Sequence, residues 1–174
     1  IRDDNGILIG TYDGLYMLDS QINVTALIPE VSVRHMEVDC NGHIWVGTFE
    51  SGLMEYGPDY KLLNHYLPNP LYSGSISSHE ISSVLEDNSG VLWVGTIGGG
   101  LNMLNLHGNN IYRYSMTEGL SQNRVITLME DFSNNLWIST HDGGVDVFDQ
   151  QAGKFRNLYI NGKASRNFSK VSSM

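Results

Sequence analysis

Cysteine is almost missing. Cys40 stands alone, so no intramolecular disulfide can form and cysteine usage leaves the redox compartment undecided. Charge is scarce too: 17% of the 174 residues are Asp, Glu, Lys or Arg, against roughly 25% in an average globular domain. Bases are the scarcer sign, 10 against 19 acids, and the resulting net charge of −9 argues against a nucleic-acid binder, because such a surface repels phosphate backbones. No apolar run approaches the roughly 20 residues that span a bilayer. The opening Ile1-Arg2-Asp3-Asp4 has neither the basic start nor the apolar stretch of a signal peptide, and it does not begin with Met. The chain reads as a piece of something longer, so these absences say nothing of the parent protein. A sustained 3.6-residue hydrophobic period is also absent. Glycine is abundant, at 19 residues on a background 41% hydrophobic, which favours a cored protein of short strands joined by tight turns.

One pattern recurs along the whole chain. Asp87-Asn88-Ser89-Gly90-Val91-Leu92-Trp93-Val94-Gly95-Thr96 aligns with Asp131-Phe132-Ser133-Asn134-Asn135-Leu136-Trp137-Ile138-Ser139-Thr140 and with Asp39-Cys40-Asn41-Gly42-His43-Ile44-Trp45-Val46-Gly47-Thr48. A shorter copy, Asp3-Asp4-Asn5-Gly6-Ile7-Leu8-Ile9-Gly10-Thr11, has Leu8 where the others have Trp. The closing Thr11, Thr48, Thr96 and Thr140 stand 37, 48 and 44 residues apart, and each is followed by a Gly-Leu or Gly-Val step. Repeats of this length signal solenoids, propellers or arrays.

Within one period the sequence predicts four short strands. In the third copy these are residues 81–86, 91–96, 101–105 and 111–114, separated by Asp87-Asn88-Ser89-Gly90, Gly98-Gly99-Gly100 and His107-Gly108-Asn109-Asn110. Residues 61–66 and 154–160 are the matching outer strands of the second and fourth copies. Four antiparallel strands per period, repeated radially, predict an all-β fold, a partial β-propeller of about four blades. The blades divide at residues 1–32, 33–80, 81–124 and 125–168, with 169–174 beginning a further inner strand. Val171-Ser172-Ser173-Met174 aligns with the inner strand Ile81-Ser82-Ser83-Val84, and Ile1-Arg2-Asp3 with Leu85-Glu86-Asp87. The chain is therefore expected to be stable as part of a larger propeller, by closure through residues 171–174, or by self-association. A larger propeller is the favoured reading.

Several residues invite a chemical reading and receive an architectural one. Trp45, Trp93 and Trp137 occupy a position that also accepts Leu8, which marks packing between blades and not sugar stacking. Asp39, Asp87 and Asp131 are expected to cap their own turns, since Asp-x-x-Gly is too sparse for a calcium loop. The carboxylate pairs Glu86-Asp87 and Glu130-Asp131 recur with the repeat and look architectural as well. His35, His43, His65, His79, His107 and His141 have no zinc-site spacing. Neither Gly-x-Ser-x-Gly nor His-Glu-x-x-His occurs, and Gly162-Lys163 is followed by Ala164, not Ser or Thr. No catalytic residue, metal site or cofactor is expected.

The string Asp-x-x-Gly-x-Leu-Trp-Val-Gly-Thr followed by Gly-Gly-Gly-Leu resembles the two-component regulator propeller repeat. That family forms the large periplasmic sensor regions of bacterial hybrid histidine kinases. The likeness is most specific at residues 84–101 and 128–145, and the first copy departs from it by lacking the Trp and one turn residue. WD-type repeats would need Gly-His and Trp-Asp pairs, and neither occurs. The resemblance implies a non-catalytic, periplasmic ligand-sensing segment of a two-component sensor histidine kinase. It implies a response to a carbohydrate-derived ligand, with the kinase elsewhere in the parent chain.

Variation between copies concentrates in the second-to-third-strand loops and in the crossovers 67–80 and 116–123, which emerge on one face of a propeller. Tyr12, Asp13, Phe49, Glu50, His79, His141 and Asp142 are the candidate ligand-binding residues on that face. Expected partners are an oligosaccharide or other polar small ligand, the remaining blades of the parent, and a second receptor copy in a homodimer. A protein-interaction or dimerisation scaffold is the alternative function. A propeller glycosidase or lyase is the further one.

Overall fold

The computed structural model describes residues 1, 6–106, 108, 110–160 and 163–164. Its strands fall into four sheets in chain order, each a simple antiparallel meander. The first holds β1 (Ile7–Thr11), β2 (Gly14–Leu18) and β3 (Val24–Pro29). The second holds β4 (Val33–Val38), β5 (Ile44–Thr48), β6 (Leu53–Tyr56) and β7 (Leu62–Tyr66). The third holds β8 (Ile81–Glu86), β9 (Leu92–Thr96), β10 (Gly100–Asn105) and β11 (Asn110–Tyr114). The fourth holds β12 (Val125–Glu130), β13 (Asn135–Thr140), β14 (Gly144–Asp149) and β15 (Lys154–Ile160), edged by the short β16 (Lys163–Ala164). These are blades of a propeller, and the first has three strands among the described residues. Residues 171–174, expected to supply its inner strand, lie outside them.

The turn aspartates do more than cap. In each of the last three blades one carboxylate oxygen accepts two backbone amides of its own turn: Asn41 and His43 on Asp39, Ser89 and Val91 on Asp87, Ser133 and Asn135 on Asp131. The other oxygen accepts the indole N–H of the tryptophan six residues on, at 3.0 Å for Trp45, 2.7 Å for Trp93 and 2.8 Å for Trp137. The fourth turn residue takes the left-handed region, with φ of 80° at Gly42, 79° at Gly90 and 60° at Asn134. A glycine or asparagine there is what lets the turn close under the carboxylate. Asp131 is held well below the usual carboxylate range, first by the Trp137 indole and then by Asn135.

Two of the clamped indoles face the next blade. Trp45 is buried with Leu53, Ile76, Ile81, Leu92 and Leu104 between the second and third blades. Trp93 is buried with Leu101, Leu120, Val125, Leu136 and Phe148 between the third and fourth. Leu8 takes the same place against the second blade, beside Ile44, Val46 and Tyr56. A second contact sets the blade spacing. A Cβ placed on Gly47 would lie 2.6 Å from Ile81, on Gly95 2.6 Å from Val125, and on Gly10 2.5 Å from Val33. Each inner strand thus opens with a β-branched residue seated on a bare glycine of the blade before it. Ser139 holds that position in the fourth blade.

Trp137 departs from the expectation that all three indoles lie between blades. It occupies the outward face of the fourth sheet and is only half-buried, whereas Trp45 and Trp93 are 0% and 1% exposed. The prediction is unequal costs. Trp93→Ala should lower unfolding free energy by about 3–5 kcal/mol, as for other large core aromatics, and Trp137→Ala by less than half as much. Urea titrations of the two variants check this, and equal losses would contradict the packing described.

Candidate functional site

The face that carries the candidate residues is built by hydrogen bonds between two kinds of loop. Each loop joining a blade's second and third strands is tied to a crossover, either the one that leads into its own blade or the one that leads to the next. Glu30 N donates to Asp13 O, Phe49 N to Ser32 O, Gly52 N to His79 O, Ile97 N to Glu80 O and His141 N to Arg124 O. Tyr12, Asp13, Phe49, Glu50, His79, His141 and Asp142 therefore all stand on one face. They do not converge on one cavity. Tyr12 is 86% exposed, and Asp13 accepts the Tyr16 hydroxyl at 3.3 Å. Phe49 is half-buried under the Arg34 guanidinium, 4.6 Å from its ring centre, while Glu50 and His79 are exposed. His141 pairs with Asp142 at 2.9 Å, and Asp142 holds the left-handed backbone with φ of 64°.

Parts of the crossovers that looked variable in sequence are architectural. Ile76 and Leu120, 0% and 3% exposed, plug the cores between blades. The next residue repeats as well. Ser77 N donates to Asn102 Oδ1 and Ser121 N to Asp146 Oδ2, both at 2.9 Å, and each serine hydroxyl meets a threonine hydroxyl, Thr96 or Thr140. The signal was present: Ile76-Ser77 precedes Ile81 by the spacing at which Leu120-Ser121 precedes Val125. Residues 67–75 stand where 115–119 stand one blade later and are longer by four residues, and their fold hangs on Arg113. Its guanidinium donates to the carbonyls of Tyr72, Ser75 and Ile76 and to the Ser75 hydroxyl. Beneath that segment, at the outer edge between the second and third blades, lies a groove of about 690 Å³. None of the seven face residues lines it.

Residues 75–98 and 119–142 match the family model described as two component regulator propeller. These stretches are two-component regulator propeller repeats. Both begin at the buried crossover plug and run through the aspartate turn and the clamped tryptophan. No curated protein sequence matches the chain. Among solved structures, it is similar to the extracellular domain assigned to the hybrid two component system BT3049 of B. thetaiotaomicron. That likeness has a TM-score of 0.79 at 20% identity over 94% of this chain and 23% of that one. The corresponding domain of BT4673 from the same organism gives 0.76 and 18%, over 91% of this chain and 24% of that one. Virginiamycin B lyase from Staphylococcus aureus gives 0.73 and 15%, over 95% of this chain and 56% of that one. The chain thus spans about a quarter of the two extracellular domains.

The repeated glutamates of the propeller are architectural. Glu86 accepts the Cys40 amide at 2.7 Å and Glu130 the Asn88 amide at 2.9 Å, each tying its blade to the turn of the preceding one. Glu37 is different. Burial, then the Glu86 and Asp39 carboxylates, push it up to about 7. The sign follows from proton uptake: between its ordinary value and about 7 the folded chain holds a proton the unfolded chain has released, so stability falls as pH rises through that window. Glu37→Gln should therefore gain on the wild type between about pH 4 and pH 8, by on the order of 1–2 kcal/mol after allowance for solvent screening. Melting both proteins across that range checks it. A constant difference would contradict a raised Glu37.

Proposed function

We propose that the chain is a ligand-sensing propeller segment of a two-component sensor histidine kinase. It lies in the periplasm, is not itself catalytic, and answers to a carbohydrate-derived ligand. The observation that carries this is the pair of matched repeats, in which the residues shared between blades are used up by the fold. What differs between blades is the loop face. The likeness to extracellular domains of two component systems adds support through the fold. The lyase shares that fold, so architecture alone does not choose between sensing and catalysis.

On this reading the loop face carries recognition. Phe49, pinned by Arg34, offers a ring, and the His141–Asp142 pair and His79 offer hydrogen-bonding groups. Reading on through the gene tests the role: a membrane-spanning helix followed by a histidine kinase is expected, and a frame ending without either would contradict it. In the parent receptor, Phe49→Ala combined with His141→Ala should lower a reporter response about tenfold at unchanged protein level, the effect of losing two central contacts. An unchanged response would remove the face from recognition.

A further inference from the structure

The groove between the second and third blades exists because two side chains are small. Between the third and fourth blades the same space is filled: Tyr114, Phe148 and Phe155 pack together, with ring centres 5.2 Å, 5.6 Å and 4.7 Å apart. Strand register makes the comparison direct. Phe148 pairs with Phe155 across the fourth blade, and Leu104 pairs with Ile111 across the third. Tyr66 stands where Tyr114 does, each opposite the equivalent leucine near the start of its blade's third strand, Leu53 or Leu101. Tyr66 thus faces two aliphatic residues where Tyr114 faces two rings, and the missing ring volume is the floor of the groove.

The walls have a definite chemistry. None of the described lining residues is Lys, Arg, Asp or Glu. Asn64, Asn69 and Asn110 contribute side-chain amides, with Asn64 already donating one N–H to Glu55 and the Asn69 oxygen already accepting the Leu71 amide; Tyr66 and Tyr72 present rings, and His65 presents an imidazole. His65 Nε2 donates to the Ser51 carbonyl at 2.6 Å, which fixes the ring at the groove wall. Tyr72 is 59% exposed at the rim, and the Arg113 bonds to its carbonyl and to Ser75 hold residues 67–75 in place before anything binds. The adjoining hollow of about 500 Å³ brings in Arg113, whose guanidinium is committed to those bonds.

We propose that this groove binds a neutral oligosaccharide. Amides offer donor and acceptor to adjacent hydroxyls, tyrosine rings take the apolar face of a sugar ring, and the lack of charged walls gives a uronate or sulfate nothing to pair with. Pre-organisation by Arg113 lowers the ordering cost of binding. None of the seven candidate residues of the loop face lines the groove, so its case stands on its own lining.

The test is a titration of the 15N-labelled 174-residue chain with cellotriose, maltotriose, xylotriose and chitotriose, and with trigalacturonate as the charged counterpart. At least one neutral trisaccharide should shift the side-chain amide signals of Asn64, Asn69 and Asn110, with a Kd below about 1 mM. Leu104→Phe combined with Ile111→Phe, which copies the filled interface, should weaken that binding at least about tenfold while the protein stays folded. Tyr72→Ala, at an exposed rim position, should weaken it similarly and carries the test if the double variant misfolds. Phe49→Ala with His141→Ala should leave it unchanged. Shifts centred on Phe49 and His141 would overturn the groove and leave the sensing role standing. Equal binding of trigalacturonate would overturn its neutrality. No shift from any neutral trisaccharide at about 10 mM would overturn the site, and the gene-level test of the sensing role would be unaffected.

Discussion

The bond from the turn aspartate to the indole six residues on joins two jobs that are separate in most sheets. One carboxylate oxygen closes the first hairpin of the blade by accepting two amides of the turn. The other fixes the rotamer of the residue that fills the space between blades. At Asp39 and Asp87 the carboxylate is removed from water, so every hydrogen bond it makes counts for more, and losing one leaves a charged group unmet. Local turn geometry and long-range packing therefore rise or fall together in Asp39–Trp45, Asp87–Trp93 and Asp131–Trp137.

Blade-to-blade contact then follows from small parts that mesh. A glycine in one second strand receives the first β-branched side chain of the next blade, and the glutamate ahead of each later turn, Glu86 or Glu130, reaches back to the amide of the preceding one. Ile76 and Leu120 close the interface from the crossover side, and the serine after each locks onto Asn102 or Asp146. Shared residues are consumed in this way, which is why specificity has to come from what the blades do not share: the exposed loop face and the interface left unfilled by Leu104 and Ile111.

Most of the fold was legible because the repeat encodes it. The Asp-x-x-Gly turn, the apolar second strand and the glycine step each have a local signature, and they fell where expected. Three features were not. Ile76 and Leu120 sit inside segments whose length differs between copies, so their common spacing to Ile81 and Val125 was masked by the longer 67–75 segment. The exposure of Trp137 depends on which face of the sheet is covered, a fact about neighbours and not about the residue. The groove was invisible for a like reason. Leu104 and Ile111 are ordinary strand residues, and they matter only once Phe148 and Phe155 are seen to fill the equivalent space one blade later.

The coupling between turn and interface is measured most directly by a double-mutant cycle on Asp87→Ala and Trp93→Phe, the second change removing the indole N–H while keeping an aromatic ring. Urea unfolding of the wild type, both single variants and the double variant should give a coupling of about 1.5–3 kcal/mol, the range for a hydrogen bond to a charged group. Additivity within about 0.5 kcal/mol would show that turn and packing are independent, and would contradict the clamp as the element on which the blades depend.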